Sequence, residues 1–152
     1  MTPKSLLRHP KAVSSLDELT KGRFQRILPD TTVSAGAVKR ILLCTGKIYY
    51  DLLEHREETK REDVAIIRVE QLYPVHDRTL GRVLQPYTDN TPIYWVQEEP
   101  ENMGAWNFIK IQFGDKLLNR FPLAGISRAP SATPASGSAK RHKQEQAEII
   151  QR

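Results

Sequence analysis

Three short, nearly uninterrupted apolar runs constrain the fold more than any other feature. They are Arg40-Ile41-Leu42-Leu43-Cys44-Thr45, Val64-Ala65-Ile66-Ile67-Arg68-Val69 and Pro92-Ile93-Tyr94-Trp95-Val96. Strands covered on both faces have no solvent side to mark with polar residues, so they read as runs of this kind. The stretches between them have a different period. Ile48, Tyr49, Leu52 and Leu53 recur at helical spacing up to Glu58, and Leu80, Val83 and Leu84 share one face of a run over 78–85. Buried strands separated by amphipathic helices pair in parallel through crossovers, which strand twist makes right-handed.

The remaining segments extend this alternation. A third helix is expected over 103–118, with Trp106, Ile109, Ile111, Phe113, Leu117 and Leu118 as its apolar residues. A short fourth strand follows over 122–126, then an irregular Ser/Ala/Pro/Gly-rich stretch over 130–139. A charged helix over 140–152, anchored by Ala147, Ile149 and Ile150, closes the chain. Ahead of the first strand, 14–21 reads as a short helix in which Ser15 and Glu18 have capping-box spacing. Next come a short extended piece over 24–28, stopped by Pro29-Asp30, and a polar loop over 31–39. The expected fold is α/β, a three-layer α/β/α arrangement around a mostly parallel sheet. A lead-in segment over 1–35 precedes the α/β domain over 36–152. A length of 152 residues suits one domain with a core that needs no staples.

Composition narrows the function classes. The single cysteine, Cys44, permits no intrachain disulfide, and its place inside a strand run suits an inert buried thiol. No stretch approaches the roughly 18 apolar residues of a membrane span, so no membrane partner is expected. The N-terminus has no signal-peptide pattern. Net charge is +5, and the excess sits at the ends: eight Lys/Arg against three Asp/Glu over 1–40, and five against two over 128–152. Basic ends fit nucleic acid, an anionic ligand or a solvated surface. Interleaved aromatics and a nucleic-acid fold signature are both missing, so no nucleic-acid partner is expected.

Specific chemistry is sparse. The turn Cys44-Thr45-Gly46-Lys47 links a strand to a helix, where free N–H groups could face an anion, but it has one glycine and no Gly-rich fingerprint. His9, His55, His76 and His142 show no metal-ligand spacing, and no Gly-x-Ser-x-Gly elbow is present. His76 stands at a helix start, where a neutral imidazole could serve as a cap. Gln97-Glu98-Glu99-Pro100-Glu101-Asn102-Met103-Gly104-Ala105-Trp106 follows a strand, where parallel sheets present their functional loops. It reads either as a contact surface for a neighbouring domain or subunit, centred on Gln97, Glu98, Glu99, Pro100, Asn102, Gly104 and Trp106, or as a well-capped helix start. Arg23 and Arg26, with Arg78 at a helix start, read either as a phosphate pocket or as solvated arginines. No catalytic residue and no metal ligand set is assigned.

Several motifs in order resemble one family. Thr2-Pro3-Lys4-Ser5-Leu6-Leu7-Arg8-His9 and Gly22-Arg23-Phe24-Gln25 are similar to the segment leading into the last domain of 2-oxoglutarate dehydrogenase decarboxylases. The stretches 42–52, 63–74, 97–106 and 125–137 resemble the same family, so the likeness covers nearly the whole chain. It implies a transketolase C-terminal-like fold with about five strands. It also implies a C-terminal organising and dimerisation domain, inactive alone. The full family enzyme uses thiamine diphosphate and magnesium, bound through a Gly-Asp-Gly stretch and an Asn in earlier domains. It decarboxylates 2-oxoglutarate in the citric acid cycle and passes a succinyl group to the lipoyl arm of the dihydrolipoyl succinyltransferase. Here the only Gly-Asp is Gly114-Asp115, followed by Lys116, so no cofactor is expected in this chain.

The implied partners are the preceding N-terminal domains, a homodimer partner and the succinyltransferase. The implied setting is the bacterial cytoplasm, or the mitochondrial matrix in a eukaryote. The pattern at Leu6-Leu7 looks cut short, which favours a piece of a longer protein. Some family members bind acetyl-coenzyme A or an adenine nucleotide beside this domain. The resemblance carries that site onto Arg23, Arg26, Gln71, Arg78 and Thr79, although Arg26 and Thr79 stand where regulated members have Ser and Arg.

Overall fold

The three apolar runs become neighbouring parallel strands at the centre of one sheet. In a computed structural model, which describes residues 3–152, the strands are β1 (Ile27–Leu28), β2 (Arg40–Cys44), β3 (Val64–Val69), β4 (Ile93–Pro100), β5 (Lys116–Leu117) and β6 (Phe121–Arg128). The helices are α1 (Leu16–Thr20), α2 (Ile48–Glu58), α3 (Asp77–Leu84), α4 (Trp106–Phe113) and α5 (Ala139–Gln151). Thr2, the first residue of the N-terminal motif, lies outside the described residues. Strand order is β1-β3-β2-β4-β6-β5. The pairs β3–β2, β2–β4 and β4–β6 are parallel, while β1 and β5 join the margins antiparallel.

Side-chain alternation along the strands divides the interior into two cores. Ile41 and Leu43 of β2, Ala65 and Ile67 of β3, and Ile93 and Trp95 of β4 meet Leu80 and Leu84 of α3 and Trp106 and Ile109 of α4. Leu42 and Cys44, Val64 and Ile66, and Val96 and Ile126 face the other way, onto Ile48 and Leu52 of α2 and Ile149 of α5. A period of two along each strand sends successive residues to opposite faces, so continuous apolar runs fill both layers.

The sheet has six strands where about five were expected, two of them two-residue margins, so the expected mostly parallel α/β sheet is observed. Three expectations need correction. The helix expected over 103–118 ends at Phe113. Gly114 donates its N–H to the Lys110 carbonyl at 2.8 Å, and the chain then turns so that Leu117 pairs with Phe121 in β5, both fully buried. Ile111 consequently faces outward and is 85% exposed. The third central strand runs on to Pro100, with a register shift after Val96. In α5 Ala147 is exposed and Gln146 is buried in its place, because Gln146 Nε2 donates to Asp51 Oδ2 of α2 at 2.7 Å.

The lead-in is tied to the sheet by a buried ion pair. Asp30 accepts from the Ile66 N–H at 2.8 Å and from the Thr32 N–H at 2.9 Å, and pairs with Arg56 of α2. Arg56 also donates to the Val64 carbonyl at 3.1 Å and to Thr32 Oγ1 at 2.7 Å. Burial alone would raise the Asp30 pKa, but these hydrogen bonds outweigh it and hold the carboxyl below its ordinary value. The capping box foreseen at α1 is formed, with Ser15 Oγ accepting from the Glu18 N–H and Glu18 from the Ser15 N–H.

Candidate functional site

Strand order reverses direction between β2 and β4, and parallel sheets bind ligands in the crevice beyond the carboxyl ends of strands at such a point. Here the crevice holds the protein's own charges. Lys47, in the turn after β2, pairs with Glu98 of β4 at 2.5 Å and with Asp51 at 3.3 Å. Burial would lower the Lys47 pKa, yet Glu98 and Asp51 outweigh it and raise the value. The ammonium that could have met a phosphate is therefore already engaged. Cys44, beneath it, is fully buried, and burial pushes its thiol up to about 12, so it supplies no thiolate near neutral pH.

The turn from β4 to α4 is organised from inside by Gln97, which is 3% exposed. Its Oε1 accepts from Trp95 Nε1 at 3.0 Å and from the Trp106 N–H at 2.9 Å. Its Nε2 donates to the carbonyls of Met103 at 2.7 Å and Pro100 at 3.1 Å. An amide has one acceptor end and one donor end, and both are used on backbone that would otherwise be buried unpaired. Gly104 sits at φ +69, and a Cβ there would come within 2.9 Å of the Gln97 amide. The buried indole of Trp106 lies over Gly125 of β6, where a Cβ would meet the ring at 2.6 Å. Asn102 exchanges two hydrogen bonds with the Ser131 backbone, at 2.9 and 3.0 Å. Of the residues singled out in this stretch, Gln97, Pro100 and Trp106 are buried and Glu98 is part-buried. Glu99, Asn102 and Gly104 are exposed.

The second set is partly brought together. The Arg26 carbonyl accepts from the Glu70 N–H at 2.9 Å and from the Gln71 N–H at 3.1 Å, so the Arg23–Arg26 segment runs beside Gln71. Gln71 donates its side-chain amide to the Pro74 carbonyl at 3.0 Å. Thr79 is engaged at the start of α3: its N–H and hydroxyl lie 3.4 and 2.9 Å from His76 Nδ1, so His76 caps that helix. Arg23, Arg26 and Arg78 are exposed. Among the described residues none of the three forms an ion pair.

One polar group escapes the sequence reading. Arg128 at the end of β6 reaches His142 and Gln146 on α5, beside a cleft of about 720 Å³ between residues 127–138 and α5. His142 and Gln146 lie four residues apart, and Ile149 continues the same helical face. That spacing was the available signal.

The donor set does not fit a thiamine diphosphate metal. Among the described residues no group of three His, Cys, Asp or Glu could hold an ion. Asp115, the acid of the only Gly-Asp, is exposed and paired with Lys110.

Comparison with known proteins fixes the lineage. The family model described as 2-oxoglutarate dehydrogenase C-terminal matches residues 13–152. The chain belongs to the 2-oxoglutarate dehydrogenase C-terminal family. It is 44% identical over 152 residues to the 2-oxoglutarate dehydrogenase E1 component of Haemophilus influenzae, and 41% identical to that of Cupriavidus necator. Each alignment covers 99% of this chain and 16% of the relative. A multifunctional 2-oxoglutarate metabolism enzyme of Mycobacterium sp. (strain JLS) is 41% identical over 155 residues, covering 98% of this chain and 12% of the relative. This member of the family therefore spans about a sixth of the curated relatives it matches. Its fold resembles a split gene transketolase solved as an inactive beta4 tetramer, with a TM-score of 0.51, 12% identity, and coverage of 85% of this chain and 41% of the other. The transketolase C-terminal-like fold expected from the motifs is thus observed.

Proposed function

We propose that this chain is the C-terminal organising domain of a 2-oxoglutarate dehydrogenase E1 component, packing against the preceding domains and shaping the homodimer without carrying chemistry itself. The observation that carries this reading is the apolar lead-in. Val13, Leu16, Leu19 and Phe24 are all largely exposed, and α1 contains no buried residue. Scattered exposed apolar side chains are ordinary, but a run of four along one short segment favours a covering partner. The exposed part of the 97–106 turn, Glu99 and Asn102, and the outward Tyr73 and Ile111 offer further contact surface. The division into a lead-in over 1–35 and an α/β unit over 36–152 is part of the proposal, with β1 as the point of attachment.

The activity of the whole enzyme then belongs to the parts beyond this domain. That activity is decarboxylation of 2-oxoglutarate with thiamine diphosphate and magnesium, followed by succinyl transfer to the dihydrolipoyl succinyltransferase. The relatives named above are bacterial, which supports a cytoplasmic setting. Two measurements test the reading. The purified chain, given 2-oxoglutarate, thiamine diphosphate and magnesium, is expected to release no carbon dioxide, and measurable turnover would sink the proposal. In the full-length enzyme, Leu16→Ser with Leu19→Ser is expected to weaken assembly by tenfold or more by light scattering. An unchanged dimer would count equally against it.

A second reading is favoured by Arg23, Arg26 and Arg78, which are exposed and among the described residues form no ion pair, with the Arg26 backbone bonded to Gln71. It makes Arg23, Arg26, Gln71, Arg78 and Thr79 part of a regulatory site for acetyl-coenzyme A or an adenine nucleotide. Calorimetry with acetyl-coenzyme A and with AMP decides it: no heat at millimolar ligand removes the reading.

A further inference from the structure

The cleft between the 127–138 stretch and α5 encloses about 720 Å³, room for a small organic molecule. Its charges do not balance. Arg128, Lys140, Arg141 and Arg152 line it against Glu145 and Glu148, four cationic side chains to two carboxylates. Arg23, Arg26 and Arg78 take no part in it.

Arg128 is the group least satisfied by the chain itself. Its side chain is 7% exposed, and Nη2 lies 2.8 Å from His142 Nδ1 and 3.3 Å from Gln146 Oε1. Its Nε is shut off from solvent and has no hydrogen-bond partner among the described residues. The carboxylate facing it, Glu145 Oε2, stands 3.6 Å away, beyond hydrogen-bond reach, while Glu145 Oε1 accepts from Arg141 at 2.7 Å. Two guanidiniums thus share one carboxylate. A guanidinium cannot lose its proton to relieve the cost of burial, so this corner keeps a positive charge that favours an anion from outside the chain.

Further donors converge on the cleft. α5 begins at Ala139, and the first N–H groups of a helix have no partner within it. The side chain of the N-cap, Ser138, accepts from the Arg141 N–H at 3.4 Å, which leaves the N–H groups of Ala139 and Lys140 free for an anion that the helix dipole also favours. Pro100, Pro130, Pro134 and Ile149 supply apolar wall.

We propose that this cleft binds a small organic phosphate monoester, with Arg128 and the start of α5 drawing the phosphate and the prolines and Ile149 meeting the organic part. A phosphate monoester carries about −1.5 to −2 near pH 7, which matches the surplus of cationic side chains, whereas a carboxylate supplies only about −1. The bound phosphate ties the end of β6, the irregular stretch and α5 into one unit.

The test titrates phenyl phosphate into the nitrogen-15-labelled chain at fixed ionic strength and follows it by NMR. Saturable shifts of the Arg128 Nε–H and of the Ala139 and Lys140 amides are expected, with a dissociation constant in the millimolar range or tighter. Shifts that never saturate, or that scatter over exposed lysines and arginines, mean an adventitious ion only and overturn the site. Benzoate should bind several times more weakly, and equal affinity refutes the choice of a dianion. Arg128→Gln should weaken phenyl phosphate at least tenfold. Because that change also removes contacts that hold α5, Lys140→Glu on the exposed helix surface serves as an independent variant. It should weaken binding severalfold with the circular dichroism spectrum unchanged, and full affinity in either variant sinks the proposal. The triple change Arg23→Ala, Arg26→Ala and Arg78→Ala should leave the affinity as it was; a loss there would place the ligand at that set instead and rule out the cleft.

Discussion

In the turn between β4 and α4 both ends of the Gln97 amide are occupied, by Trp95, the Trp106 N–H, and the carbonyls of Pro100 and Met103. Arg23 and Arg26, just before β1, and Arg78, in the first turn of α3, are exposed and among the described residues have no carboxylate partner. The first region carries the more specific sequence motif and has little chemistry left to offer a ligand. The second carries an unremarkable scatter of arginines and keeps all of its charge available. Motif specificity here marks where the backbone needs holding, whereas free chemistry lies where the sequence pattern is weak.

Arg56 is the buried counterpart of the marginal arginines and gives the largest expected effect. Asp30→Ala leaves its guanidinium without a counter-ion and should cost about 3–4 kcal/mol in urea unfolding. The same carboxyl gives a pH signature. Its pKa is lowered in the fold, so its contribution is present above the unfolded value of about 3.9 and is lost as pH falls below it. Asp30→Asn should flatten that acid limb, and an unchanged limb would show that some other carboxylate carries it. Next in size, Gln97→Leu orphans buried donors and acceptors and should cost about 2–3 kcal/mol, with a red shift in tryptophan emission. A loss below about 0.5 kcal/mol would mean the turn is not held from within. Gly104→Ala introduces a side chain at positive φ against the Gln97 amide and should cost roughly 1–2 kcal/mol. Smallest of all, Arg23→Ala with Arg26→Ala and Arg78→Ala should change stability by no more than about 0.5 kcal/mol. If the margin is a ligand site, these changes should still lower its affinity for acetyl-coenzyme A at least tenfold by calorimetry. A large stability loss there would erase the contrast between the two regions.

The central strands were legible because burial on both faces leaves an uninterrupted apolar run, and the capping box at α1 because its spacing is local. The segment around 103–118 was not. Apolar residues at Phe113, Leu117 and Leu118 continue a helical pattern on paper, but Leu117 satisfies its burial opposite Phe121 in a strand pair that no local pattern announces. Gln97 was legible as a member of a motif but not as its internal brace, since its partners span residues 95 to 106 and meet only through the register shift in β4. Arg128 and His142 were missed for a similar reason. Their contact joins a strand end to a helix across the irregular stretch between them.

The two margins of the sheet are each two residues long and run against their neighbours. A parallel sheet ending at β3 or β6 would present a row of unpaired N–H and C=O groups, a template on which another chain's strand could grow. β1 and β5 shorten and reverse that template on both sides. A neighbouring strand would therefore find only two residues of template at either side, too short a row for pairing to propagate.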